Sequence, residues 1–168
     1  LREALDNGRV LVVGGSYTDL RAETWDPSTG RWSITAPMSS GRISAQVTAL
    51  ADGRTLVTGG GTSPTGASLR SAELFDPRTN QWVLTSPMQS ARRGHSAVLL
   101  ADGRVLVAGG WPAEEVARAE VWNPADGQWS VAGNVRAEDP RGRLFALGDG
   151  SAAFVPVRGP IEVWHPSK

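Results

Sequence analysis

The stretch ADGRVLVAGG, Ala101–Gly110, returns as ADGRTLVTGG at Ala51–Gly60, as DNGRVLVVGG at Asp6–Gly15 and, in worn form, as GDGSAAFVPV at Gly148–Val157. A chain that repeats one phrase at such intervals builds one supersecondary unit several times, and the units must bury their faces on one another. Other markers keep step. The turn glycines Gly8, Gly53, Gly103 and Gly150 lie 45, 50 and 47 residues apart. Glu23, Glu73, Glu120 and Glu162 lie 50, 47 and 42 apart, and Trp32, Trp82 and Trp129 lie 50 and 47 apart. The differences in length fall between the markers, where loops belong.

Each unit reads as strands. SAVLLADGRVLVAGG holds two apolar, β-branched runs around Asp102-Gly103, a strong hairpin signal. The glycine pair Gly109-Gly110 ends the second run where a side chain would obstruct a turn or a close backbone approach. RAEVWNPADGQWSVAG adds a third strand, a turn at Asn123–Gly127 and a fourth strand around Trp129. No segment keeps a helical period beyond two turns. The expectation is all-β, with four antiparallel strands per unit. One such sheet cannot bury both faces alone, so units arranged around an axis cover one another as a β-propeller. The seam would be Trp25, Phe75, Trp122 and Trp164 on the third strands with Trp32, Trp82 and Trp129 on the fourth. Six of the 7 tryptophans stand at these positions.

Composition narrows the chemistry. The 168 residues are enough for one domain with a core, and no apolar run is long enough to span a membrane as a helix. The opening LREALDNGR is no signal peptide, and neither compartment nor localisation can be read from the chain. Seventeen basic and 17 acidic residues balance, which argues against a nucleic-acid partner. With no cysteine, the chain has no disulfide, thiolate metal site or cysteine nucleophile of its own.

The pattern of WDPSTGRW (Trp25–Trp32), FDPRTNQW (Phe75–Trp82) and WNPADGQW (Trp122–Trp129), with DGR before it and the double glycine between, resembles the kelch repeat. It is similar to the bacterial kelch repeats that also occur in galactose-oxidase-like proteins. The resemblance implies kelch blades at about residues 1–38, 42–88, 92–133 and 141–168. The fourth departs from the pattern: it lacks the double glycine, has His165 where the others have Asp or Asn, and stops before its fourth strand. About three and a half to four blades are fewer than kelch rings commonly hold. The chain is therefore expected to be part of a longer ring, to pair with further copies of itself, or to form a compact four-bladed unit.

Framework residues are weighed as framework. The recurring glutamates read as structural acceptors, since a catalytic residue is needed once, and Asp26 and Asp76 read as turn formers. His95 and His165 occupy different repeat positions without a second ligand at metal spacing, so no metal site is expected. The copper-radical oxidase site that the resemblance suggests needs a Cys cross-linked to a Tyr; with no Cys and the single Tyr17, the chain cannot hold it alone. GGGTSPTG (Gly59–Gly66) precedes no helix and reads as a flexible loop, not a phosphate cradle. No catalytic residue and no cofactor are assigned.

What remains is the rim, where loops differ between blades. The candidate contact residues are Tyr17, Trp111 and Glu114 on the loops between second and third strands, and Arg42, Arg92, Arg93 and Arg141 on the blade-linking segments. The resemblance implies that linker arginines point into a shared pocket, where guanidiniums suit an acidic peptide or carboxylate. The competing reading pairs each Arg with a glutamate of a neighbouring blade. The expected function is a non-enzymatic binding module for a protein or peptide partner, with a glycan as the lesser choice. The alternatives are an accessory part of a larger oxidase or hydrolase, and a sensor domain fused to an effector.

Overall fold

The structure, a computed structural model, describes residues 2–113, 118–136 and 139–165. Every described element is a strand, turn or loop. The first sheet runs β1 (Arg2–Ala4), β2 (Val10–Val12), β3 (Glu23–Asp26), β4 (Arg31–Ile34). The second runs β5 (Gln46–Ala49), β6 (Thr55–Thr58), β7 (Ala72–Asp76), β8 (Gln81–Leu84). The third runs β9 (Ser96–Leu99), β10 (Val105–Ala108), β11 (Arg118–Asn123), β12 (Gln128–Asn134). The fourth has three strands, β13 (Asp139–Ala146), β14 (Ala152–Arg158) and β15 (Glu162–Trp164). All pairings are antiparallel between sequence neighbours, and LREAL supplies the first strand of its blade. These are propeller blades whose first strands lie side by side, and they do not close into a ring.

The recurring phrases have local causes. In DGR, the Asp52 and Asp102 carboxylates accept the backbone N–H of Arg54 and Arg104 at 3.0 Å and bind the same residues' guanidiniums. Gly53 and Gly103 close the turn at φ 85°, a left-handed conformation that costs other residues energy. Before Pro, the Asp26, Asp76 and Asn123 side chains accept the N–H two residues on, which forms the third-to-fourth strand turn. The double glycine lets the next linker pass. A side chain on Gly14 would collide with the carbonyl of Arg42, one on Gly59 with that of Arg92, and one on Gly109 with that of Pro140.

Alternation decides the core. Each blade has a front face, turned toward the preceding blade, and a back face, turned toward the next. Leu5, Leu11 and Val13 of the first back face pack with Val57 and Phe75 of the second front face. Leu50, Leu56 and Met88 meet Val107, Trp122 and Trp129. Leu100, Leu106 and Val121 meet Leu144, Ala152 and Phe154. The aromatic seam departs from its expectation in one respect. Trp122 and Trp129 are 1% and 9% exposed, but Trp32 is 56% exposed, because none of the described residues forms a blade against the front of the first sheet.

Candidate functional site

The linkers that enter blades 2 and 3 are tied down by the recurring glutamates. Glu120 accepts the N–H of Gln89 at 2.6 Å and of Ser90 at 3.0 Å, and takes a guanidinium bond from Arg92 at 2.7 Å. Glu73 accepts the N–H of Ser39 at 2.9 Å and pairs with Arg42. Arg42 and Arg92 also donate to the carbonyls of Gly59 and Gly109. Both are fully buried; desolvation pushes their pKa down, and the paired carboxylate opposes it. The pocket-facing role for Arg42 and Arg92 is therefore corrected: they are struts. Each serves the glutamate of the blade it leads into, not that of a neighbour. In blade 4, Glu162 accepts the N–H of Arg136 at 2.7 Å, while Pro140 stands where the buried arginine stands elsewhere, its carbonyl accepting the N–H of Gly110 as that of Arg92 accepts the N–H of Gly60.

His95 is buried, with Nε2 2.8 Å from Thr58 Oγ1 and Nδ1 without a hydrogen-bond partner. Burial, then the nearby Arg92 charge, push its pKa well below the ordinary value. It packs under the glycine pairs, where side chains on Gly59 or Gly110 would crowd it. Among the described residues, no group of three or more His, Asp or Glu could hold a metal ion.

At the rim the pattern changes. Arg93 and Trp111 exchange both backbone hydrogen bonds, at 3.0 and 2.9 Å. Ser68 Oγ donates to the Trp111 carbonyl at 3.0 Å. The Arg93 guanidinium reaches the carbonyls of Ser63, Pro64 and Gly66 only at 3.4–3.5 Å, and no carboxylate among the described residues pairs with it. Trp111 is 51% exposed beside it. Long bonds to neutral carbonyls leave much of a guanidinium's capacity for an anionic ligand. Sequence reasoning singled out the loop but missed Ser63, Pro64, Gly66 and Ser68 as its working parts; its length and glycines were the signal.

The other candidates lie apart from this cluster. Tyr17 belongs to the loop of blade 1, whose backbone closely packs Gly41. Arg141 is held by Asp139 on the exposed margin of blade 4, and that carboxyl is lowered to about 2 by the guanidinium hydrogen bond. Glu114 lies outside the described residues.

The model of the kelch motif matches residues 45–89, which hold the whole second sheet. This is a kelch motif. Among solved structures, a fungal alcohol oxidase of the AA5 family, in complex with copper, is similar with TM-score 0.69 and 19% identity, over 89% of this chain and 35% of that one. The structure of YjhT is similar with TM-score 0.68 and 19% identity, over 90% of this chain and 56% of that one. The chain thus spans about a third and just over half of these two proteins. No curated protein matches it in sequence. Likeness at this identity shows the fold alone, a propeller-type arrangement of antiparallel blades.

Proposed function

We propose that the chain is a kelch-type binding module whose contact site is the rim formed by Arg93, Trp111 and the Gly61–Leu69 loop, and whose ligand is an acidic peptide segment. One observation carries this reading. The recurring charges of blades 2 and 3 are consumed internally, as Arg42 with Glu73 and Arg92 with Glu120, whereas the non-recurring Arg93 has only distant carbonyls. A guanidinium next to a half-exposed indole offers bidentate charge recognition and a flat apolar contact together. The test is fluorescence anisotropy with labelled peptides carrying Asp or Glu, against the same peptides carrying Asn or Gln. Arg93→Ala should weaken binding of the acidic peptides by about 10- to 100-fold, the worth of a hydrogen bond to a charged group. The melting temperature should not change. Trp111→Ala should weaken binding of both sets. Equal binding of acidic and amide peptides, or a sharp fall in melting temperature for Arg93→Ala, would refute the site.

A second reading, an accessory part of a larger oxidase, is supported by the fold shared with the fungal enzyme. The chain has no Cys and one Tyr, so a cross-linked Cys–Tyr group would have to come from outside these residues.

A further inference from the structure

Between blades 1 and 2, at the hairpin-turn end opposite the rim, lies a cleft of about 170 Å³. Four neutral polar side chains line it, Asn7, Thr24 and Ser33 from blade 1 and Asn80 from blade 2. The buried Leu5 and Phe75 add an apolar wall. We propose that this cleft is a binding site for a small neutral polyol.

The repeat shows that these four residues are departures. By strand register, Thr24 and Ser33 correspond to Leu74 and Val83 at the boundary between blades 2 and 3. Asn7 corresponds to Asp52, and Asn80 to Gly127. One boundary thus carries two apolar side chains, a carboxylate taken by Arg54 and a glycine, where the other carries four neutral hydrogen-bonding groups. The boundary between blades 3 and 4 keeps Asp102 and Val121 and shares only the serine, as Ser130. Folding does not call for the exchange. Asn80 holds φ 57° where Gly30 and Gly127 hold 67° and 69°, a left-handed conformation that glycine adopts at less cost. Thr24 is 8% exposed, and among the described residues none bonds to its hydroxyl, to that of Ser33 or to the Asn80 amide. Asn7 uses its side-chain carbonyl to accept the Arg9 N–H at 3.1 Å, which leaves its amide N–H groups to donate. A buried hydroxyl without a partner lowers stability, and a ligand hydroxyl supplies that partner. Arg9 stands at the edge of the cleft but is paired with Asp26 at 3.4 Å, so the charge is balanced and an anion is not favoured. Hydroxyls both donate and accept, as the two amides and two hydroxyls of the cleft require. The volume equals that of roughly six waters, which suits a polyol of a few carbons and not a drug-sized ligand.

The experiment is a proton–nitrogen NMR titration of the 168-residue chain with erythritol and with butanediol, which has the same carbon chain and half the hydroxyls. Erythritol should shift the side-chain amides of Asn7 and Asn80 saturably and bind about 10-fold more tightly than butanediol, the worth of one or two added hydrogen bonds. Asn80→Gly, and Thr24→Leu combined with Ser33→Val, install the residues of the next boundary. Circular dichroism should show both folded, with a melting temperature that holds or rises, and each should bind erythritol about 10-fold more weakly. Arg93→Ala at the rim should leave erythritol binding unchanged. The absence of a saturable shift at the two amides, or an equal response to the two compounds, would overturn the proposal. So would either cleft variant binding erythritol as the wild type does, or a loss of erythritol binding in Arg93→Ala.

Discussion

Three side chains within four residues show how a short step along a strand-linking segment changes what a cation does. Arg92 is sealed against Glu120, Arg93 reaches only rim carbonyls, and His95 lies buried against Thr58. His95 makes stability pH-dependent in a defined direction. Its folded-state pKa lies well below the ordinary value because burial and Arg92 disfavour the imidazolium. The stability tied to the neutral ring is fully present above the unfolded value near 6.5 and is lost as pH falls below it, since only the unfolded chain then binds the proton. Urea unfolding should show a loss of up to about 1.4 kcal/mol per pH unit between about pH 6.5 and 5 from this one group. His95→Gln, which keeps an amide partner for Thr58, should remove that part of the slope. An unchanged slope in the variant would show that another group titrates.

The same glycine serves two purposes in two turns, and the difference is measurable. Gly103, at φ 85°, closes the DGR turn with open space where a side chain would stand; Gly109, at φ 69°, lies beneath the linker carbonyl of Pro140, and a Cβ added to it would stand 2.8 Å from the Phe154 ring. Gly103→Ala should cost only the left-handed penalty, about 1–2 kcal/mol. Gly109→Ala should cost more than about 3 kcal/mol, because a strained backbone and a packed interface must both shift. Equal losses in one denaturation series would show that the linker yields. These two elements also explain what could be read from sequence. The hairpin turns, Asx turns and aromatic positions rest on local chemistry that repeats, so the blade architecture was visible in the spacing. The strut role of Arg42 and Arg92 was visible only as the competing reading, and with the wrong blade's glutamate, since residue type alone does not say which way the linker turns a guanidinium. A usable signal was present. Arg42 and Arg92 recur at the repeat spacing like framework, whereas the position of Arg93 is Ile43 in blade 2, and that of Trp111 is Ser16 and Gly61. Recurrence marked structure and its absence marked the rim.

Across the whole arc, the energetic meaning of a repeat position depends on whether a blade stands in front of it. Trp129 and Trp32 occupy the same place in their blades, opposite Trp122 and Trp25. Trp129 is 9% exposed and donates its indole N–H to the Ser86 carbonyl at 2.9 Å, across the boundary with blade 2. Trp32 is 56% exposed and meets Trp25 at a ring separation of 6.5 Å within its own blade. A stability set by the sheet alone would make the two equally important; one set by blade stacking makes them very different. Trp129→Ala should therefore cost about 3–5 kcal/mol, the usual loss for emptying a buried aromatic site. Trp32→Ala should stay within about 1 kcal/mol, as for an exposed position. Both are to be measured by chemical denaturation at low protein concentration, where the chain stands alone. Comparable losses for the two would mean that the blades hold themselves together strand by strand, and that stacking between them contributes little.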